Sequence, residues 1–157
     1  MDTLNKDSVY RFPSEWESQE AVWFACTKRQ DLWEGYLETV QARFIELYRL
    51  CSNFQKVNIL CSESEQSNLM QLLDLKEPKH EIILHNYETD DVWIRDYGPI
   101  FLKQKSEGSL LSCDWLFNAW GEKFDLFQKD NAVPKWLSGQ LDIENISYSK
   151  ILEGGAI

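Results

Sequence analysis

Long hydrophobic runs are missing: no stretch approaches the roughly 18 consecutive apolar residues of a membrane-spanning helix. Residues 1–13 are polar and lack the apolar centre of a secretory signal, so the chain is expected in the cytoplasm and away from membranes. The four cysteines, Cys26, Cys51, Cys61 and Cys113, form no C-x-x-C pair, and no Cys/His cluster has zinc-type spacing. Each sits in or beside an apolar run, the pattern of a buried thiol in a reducing compartment. Basic charge is also scarce: 16 Lys and Arg stand against 26 Asp and Glu, a formal net charge of -10. Like-sign repulsion excludes nucleic acid and anionic lipid as partners and favours a cationic ligand. Acidity serves solubility equally well, so the charge excludes partners better than it identifies one.

What is present is globular. The 157 residues are 43% hydrophobic and 13% aromatic, and a chain this long hides roughly 68–70% of its unfolded surface. Seven tryptophans are many for the length. A buried indole N–H needs a partner, so some rings are candidates to line a cavity; core packing is the plainer expectation for most.

The patterning predicts small strand–helix units. Residues 21–26 (AVWFAC) read as a strand. Trp33, Leu37, Val40, Phe44, Leu47 and Cys51 recur at steps of four and three, the apolar stripe of a helix, with Glu38, Gln41, Arg43 and Glu46 turned outward or to its flanks and Asn53 as its stop. Residues 56–61 read as a second strand. Ser62 and Glu65 form a capping box for a helix through about Leu73. A connection past Pro78 leads to a strand over 81–85. Residues 100–103 and 110–117 form a hairpin turning at Gly108. Asp130 or Asn131 is expected to cap a short helix with Pro134 in its first turn, and 143–152 is a last strand. The expected fold class is mixed α/β (α+β), with residues 1–12 as a tail and 13–157 as the domain portion. The chain ends on an apolar residue after a Gly-Gly pair, as if cut inside an element.

Chemistry is densest over Asp90-Asp91-Val92-Trp93-Ile94-Arg95-Asp96-Tyr97-Gly98-Pro99. A carboxylate accepts two N–H bonds from a guanidinium in fork geometry. An indole stacks on the same planar cation for about 0.5–2 kcal/mol. Asp96 and Trp93, three residues apart, suit one such pocket. The competing reading is a salt bridge between Arg95 and an acidic neighbour in a solvated loop. Glu88, Asp90, Asp91 and Asp96 are oxygen ligands in a short span, but neither an EF-hand pattern nor H-E-x-x-H accompanies them, and no metal is expected.

Three further segments accompany this one: Pro13-Ser14-Glu15-Trp16-Glu17, Phe117-Asn118-Ala119-Trp120-Gly121-Glu122-Lys123-Phe124 and Glu153-Gly154-Gly155. In this order, with W-x-R-D-x-G-P between the first and second, they resemble the agmatine deiminase family and its relatives, the bacterial (Porphyromonas-type) peptidylarginine deiminases. The resemblance runs from Pro13 onward and covers the family's N-terminal part only. It implies a partial pentein β/α-propeller and hydrolysis of a guanidino C–N bond, without a cofactor. Asp96 is similar to the carboxylate that grips the substrate guanidinium, Trp93 to the ring lining that pocket, and Glu153 to the catalytic carboxylate that orients a histidine. Gly154 and Gly155 would let backbone pass close to the site. Trp120 and Lys123 are read as structural.

The chemistry asks for a thiolate nucleophile and an acid/base to protonate ammonia and activate water. The family's cysteine, histidine and second carboxylate belong to its C-terminal part. Cys26, Cys51, Cys61 and Cys113 lie in apolar runs, where burial makes thiols inert. His80 reads as a surface residue and His85 as a strand-end residue. The isolated chain is therefore expected to be inactive toward its small cationic guanidino substrate, agmatine first and an arginine side chain second. The rival classes are a non-catalytic guanidinium-binding module and a fragment that folds by assembly as a homo-oligomer through unpaired strand edges.

Overall fold

The computed structural model describes residues 9–73 and 78–157. Residues 1–8 of the expected tail and the connection through 74–77 lie outside the described residues. The elements are β1 (Tyr10–Arg11), β2 (Ala21–Ala25), α1 (Leu37–Cys51), β3 (Lys56–Cys61), α2 (Glu63–Leu73), β4 (Ile82–Asn86), α3 (Ile94–Tyr97), β5 (Ile100–Gln104), β6 (Leu110–Leu116), α4 (Ala119–Glu122), α5 (Gln128–Asn131), α6 (Val133–Leu141), β7 (Glu144–Ile151) and a closing 3-10 turn, Gly154–Ala156. The mixed α/β class expected from the patterning is the one observed.

The chain forms two compact units, each with its own sheet. The parallel unit comprises Ser18–Ile94 and Leu126–Asp130. Its strands run in the order β2-β3-β4, all parallel, in register Val22↔Val57 and Val57↔Ile82. Parallel neighbours need a crossover, and α1 and α2 supply the two. The central β3 is mostly apolar, and Val57 through Cys61 are buried, with Asn58 the one polar residue among them. Ile45 and Tyr48 of α1 and Leu69 and Leu73 of α2 close over Val57, Ile59 and Cys61 as one core. Each such side chain removed from water contributes about 1.5–3 kcal/mol.

The inward face of α1 differs from the expected stripe. Ile45 and Tyr48 are buried, Gln41 is half-buried, and Leu47 is 39% exposed. The Gln41 Nε2, on the flank of the helix, donates to the Thr27 carbonyl at 2.7 Å and ties helix to loop. Trp33 precedes the helix. The capping box is half-formed: the Glu65 Oε2 accepts from the Ser62 amide at 2.9 Å, while the Ser62 hydroxyl donates to the same carboxylate at 2.6 Å rather than accepting from the Glu65 amide.

The mixed unit comprises the described part of Met1–Glu17, Arg95–Asp125 and Asn131–Ile157. Its order is β1-β5-β6-β7, with β1 and β6 antiparallel to β5 and β7 parallel to β6. Tyr10 and Arg11, placed within the expected tail, pair with Gln104 and Lys103. The hairpin turns at Gly108, φ +74°, as expected. The crossover to β7 runs through α6, with Pro134 in its first turn and Val133 and Leu137 buried. Neither Asp130 nor Asn131 caps that helix. The Asn131 Oδ1 accepts from the Phe117 amide at 2.7 Å, and Asp130 serves the parallel unit.

None of the seven tryptophans is fully buried, against the expectation of core packing; Trp16 is 89% exposed. The indole is too large to be enclosed readily in small units. Trp115 instead stacks on Tyr148 across β6 and β7, ring centroids 4.1 Å apart.

Candidate functional site

Four segments singled out in the sequence meet inside the mixed unit: 13–17, 95–99, 117–124 and 153–155. They converge on α3, a single turn ended by Gly98-Pro99. The half-buried Asp96 accepts two hydrogen bonds: its Oδ1 from the Gly155 amide at 3.1 Å, its Oδ2 from the Trp120 Nε1 at 3.3 Å. Arg95 does not neutralise it. The Arg95 Nη2 pairs with the Glu15 carboxylate at 2.5 Å and its Nε donates to the Gly154 carbonyl at 3.1 Å. The salt bridge considered between Arg95 and its acidic sequence neighbours is therefore replaced by one to Glu15. That pair is solvent-facing and contributes at most about 1 kcal/mol. Its consequence is directional: the guanidinium next to Asp96 in sequence is engaged elsewhere. Arg11 is held likewise, by a two-pronged bond to Glu17 at 2.5 and 2.7 Å.

A carboxylate has about four lone-pair positions. Asp96 uses one on each oxygen, which leaves one on each for a two-pronged donor.

Two backbone devices hold this arrangement. A Cβ on Gly154 would collide with the Arg95 carbonyl oxygen, and one on Gly155 with the Asp96 Oδ1. Only glycine lets residues 154 and 155 lie this close to α3. The second device is α4, which winds the left-handed way: Ala119, Trp120, Gly121 and Glu122 have φ of 52°, 57°, 83° and 59°. Left-handed winding costs about 1–2 kcal/mol for each non-glycine residue and is normally confined to single residues. Here it is held by the Glu122 amide on the Asn118 carbonyl at 2.7 Å, by the Gly121 amide on the Asn118 Oδ1 at 3.0 Å, and by the burial of Ala119. The turn delivers the Trp120 N–H to Asp96 and sets its ring edge-on to Phe117, centroids 5.2 Å apart.

Trp120, read as structural, is thus a direct partner of Asp96. The available signals were a donor-only indole needing an acceptor and an Asn and a Gly flanking it, the residues that most readily accept left-handed backbone. Glu15 was a motif residue without an assigned role. Glu153 is half-buried beside the Gly-Gly pair, and its carboxylate takes no hydrogen bond among the described residues. Trp93 belongs to the end of the parallel unit and is 51% exposed.

The remaining acids of the dense segment have local duties in the parallel unit. The Asp130 carboxylate accepts from the Asp90 amide at 2.7 Å and the Asp91 amide at 3.1 Å, and burial pushes its pKa up to about 7. Asp90 in turn accepts from the Lys129 amide at 2.9 Å. Glu88 lies between Lys129 and Lys28, which hold its carboxyl down at about 2. Among the described residues no three Asp, Glu, His or Cys side chains gather as a metal would require.

The thiols are poorly suited to nucleophilic work. Burial raises those of Cys51 and Cys113. Cys26 is raised by its hydrogen bond to Cys61 and by burial. Cys61 is lowered by that same bond but is only 2% exposed. Burial lowers the His85 imidazole, which lies 2.9 Å from the Asn58 Oδ1 and packs on Trp23.

A family model for the Porphyromonas-type peptidyl-arginine deiminases matches residues 11–157. The agmatine deiminase of Ectopseudomonas mendocina is 31% identical over 166 aligned residues, covering all of this chain and 43% of that protein. The Pseudomonas aeruginosa agmatine deiminase is 30% identical over 94% of this chain and 40% of its own length. The solved agmatine deiminase of Enterococcus faecalis superposes with a TM-score of 0.83 at 29% identity, over 94% of this chain and 40% of that one. The chain spans about two-fifths of the length of the curated relatives it matches. Among the described residues no helix is long and apolar enough to cross a membrane.

Proposed function

We propose, for a chain that belongs to the family of Porphyromonas-type peptidyl-arginine deiminases, that Asp96 is the carboxylate that receives the guanidinium of a substrate undergoing C–N hydrolysis. The observation that carries this is the state of that carboxylate: half-buried, fixed by one donor on each oxygen, and unpaired with Arg95. A fork of two N–H groups fits the positions that remain. Glu153, whose carboxylate is uncommitted, is the group that orients a histidine; a ring role for Trp93 rests on the family resemblance alone. Agmatine is the favoured substrate, and the names of the relatives support it over an arginine side chain. The product would be N-carbamoylputrescine with release of ammonia, a step toward putrescine.

The nucleophile lies outside these residues in this reading, since the four thiols are buried or raised. The chain alone then binds agmatine and does not turn it over. Calorimetry with agmatine tests the first part: Asp96→Asn keeps an acceptor but removes the charge, and is expected to weaken binding about 10- to 100-fold. Unchanged affinity in that variant removes Asp96 from the site. Ammonia release by the chain alone would return the nucleophile to one of its own cysteines.

A further inference from the structure

The parallel unit holds a cleft of about 150 Å³ between α1 and α2, beyond the carboxyl end of β2. Crevices at the carboxyl ends of parallel strands are common ligand positions. One wall is apolar, from Phe44, Leu69 and Leu72; the other carries Thr27, Gln41 and Glu65. Thr27 is 5% exposed, and its Oγ1 is buried with no hydrogen-bond partner among the described residues. A buried hydroxyl is normally satisfied, so an orphan on a cleft wall points to a missing partner. Gln41 does not fill the role, because it donates to the Thr27 carbonyl.

The charge of the wall has one sign. The Glu65 Oε2 is committed to the Ser62 amide and hydroxyl, while its Oε1 accepts no bond among the described residues. Glu65 lines the cleft together with Tyr48. No Lys or Arg lines the cleft among the described residues.

We propose that this cleft binds a short alkylammonium ion. The ammonium would rest on the Glu65 Oε1 with the Thr27 hydroxyl accepting one of its N–H bonds. A tail of about three to five carbons would lie on Phe44, Leu69 and Leu72, since a cavity of this size accepts a molecule about as large as benzene. The site is separate from Asp96 and does not depend on the deiminase reading.

The test titrates n-butylammonium into the 157-residue chain and follows backbone amide shifts. Saturable shifts are expected at Thr27, Gln41, Glu65 and Asn68, with n-butanol and butyrate binding about tenfold more weakly or worse. Glu65→Gln keeps the helix cap, since Gln serves a capping box, and is expected to weaken butylammonium about tenfold. Thr27→Val, which removes only the hydroxyl, gives a second reading with a loss of about threefold. Asp96→Asn is expected to leave this titration unchanged. Equal affinity for butanol and butylammonium, no effect of either cleft variant, or loss of the shifts in Asp96→Asn would each overturn the proposal.

Discussion

The two units solve the problem of buried polar groups in opposite ways. In the parallel unit three carboxylates, Asp90, Asp130 and Glu88, are consumed by the fold. Asp130 and Asp90 take backbone amides, and Glu88 is closed between two lysines. In the mixed unit Asp96 is held by two donors and left half-satisfied, while the arginine next to it is diverted to Glu15. The parallel unit has right-handed helices and a central strand buried along its length. The mixed unit accepts a left-handed turn and two glycine-only approaches to keep one side chain in place. Strain that the surroundings must hold down is typical of positions kept for function rather than stability. The difference separates acids that hold the molecule together from an acid that is held ready.

The largest effect that would break this contrast is at Asp130, whose carboxyl is raised in the folded state to about 7 from an ordinary value near 4, with burial as the leading cause. A raised carboxyl stays protonated in the folded chain while the unfolded chain has already ionised. Stability therefore falls as pH rises between about 4 and 7. Asp130→Asn keeps an acceptor for the two amides and removes that slope, an effect of up to about 4 kcal/mol across the window. Urea denaturation at several pH values reads it out, and an unaltered slope would show that another group carries the dependence.

Next is Gly154. Gly154→Ala forces a Cβ onto the Arg95 carbonyl oxygen and is expected to cost about 3 kcal/mol. Hydrogen exchange should show protection lost over β5, β6 and β7 and retained over β3. Equal loss in both units would mean that they do not open separately.

The smallest effect sharpens the contrast at the site. Trp120→Phe keeps the edge-on packing against Phe117 and removes the N–H donated to Asp96. Stability should move by about 1 kcal/mol or less, and agmatine binding should weaken by about tenfold as the carboxylate loses its fixed direction. Calorimetry alongside thermal melting separates the two.

Legibility in the sequence divides along the same line. The parallel unit was readable because its signals are local: β2, β3 and β4 as short apolar runs and α1 and α2 as periodic segments. The expected stripe of α1 held at Phe44 and Cys51, which pack against the core, and missed Ile45 and Tyr48, because apolar residues surround much of that helix and only packing selects those two over Leu47. In the mixed unit the hairpin and β7 were equally readable. Tyr10 and Arg11 were not, since a two-residue edge strand is defined by its partner. Asp96 was singled out by chemistry and resemblance, and Gly154 and Gly155 by the freedom glycine allows. The partners of Asp96 were hidden because they stand 24 and 59 positions further along the chain, and no periodicity reports a contact closed by a turn of the opposite hand.

The contact of Asp130 with the Asp90–Asp91 loop spans about forty positions and reaches past the entire hairpin of the other unit. Closing so long a loop has an entropic cost that must be met before the contact is rewarded. During synthesis the three parallel strands emerge first, yet the amides of Asp90 and Asp91 wait for residue 130 to clear the ribosome. The strands most easily recognised are therefore not the earliest portion to be finished, and a nascent chain released before that point would carry a loop with two unanchored amides.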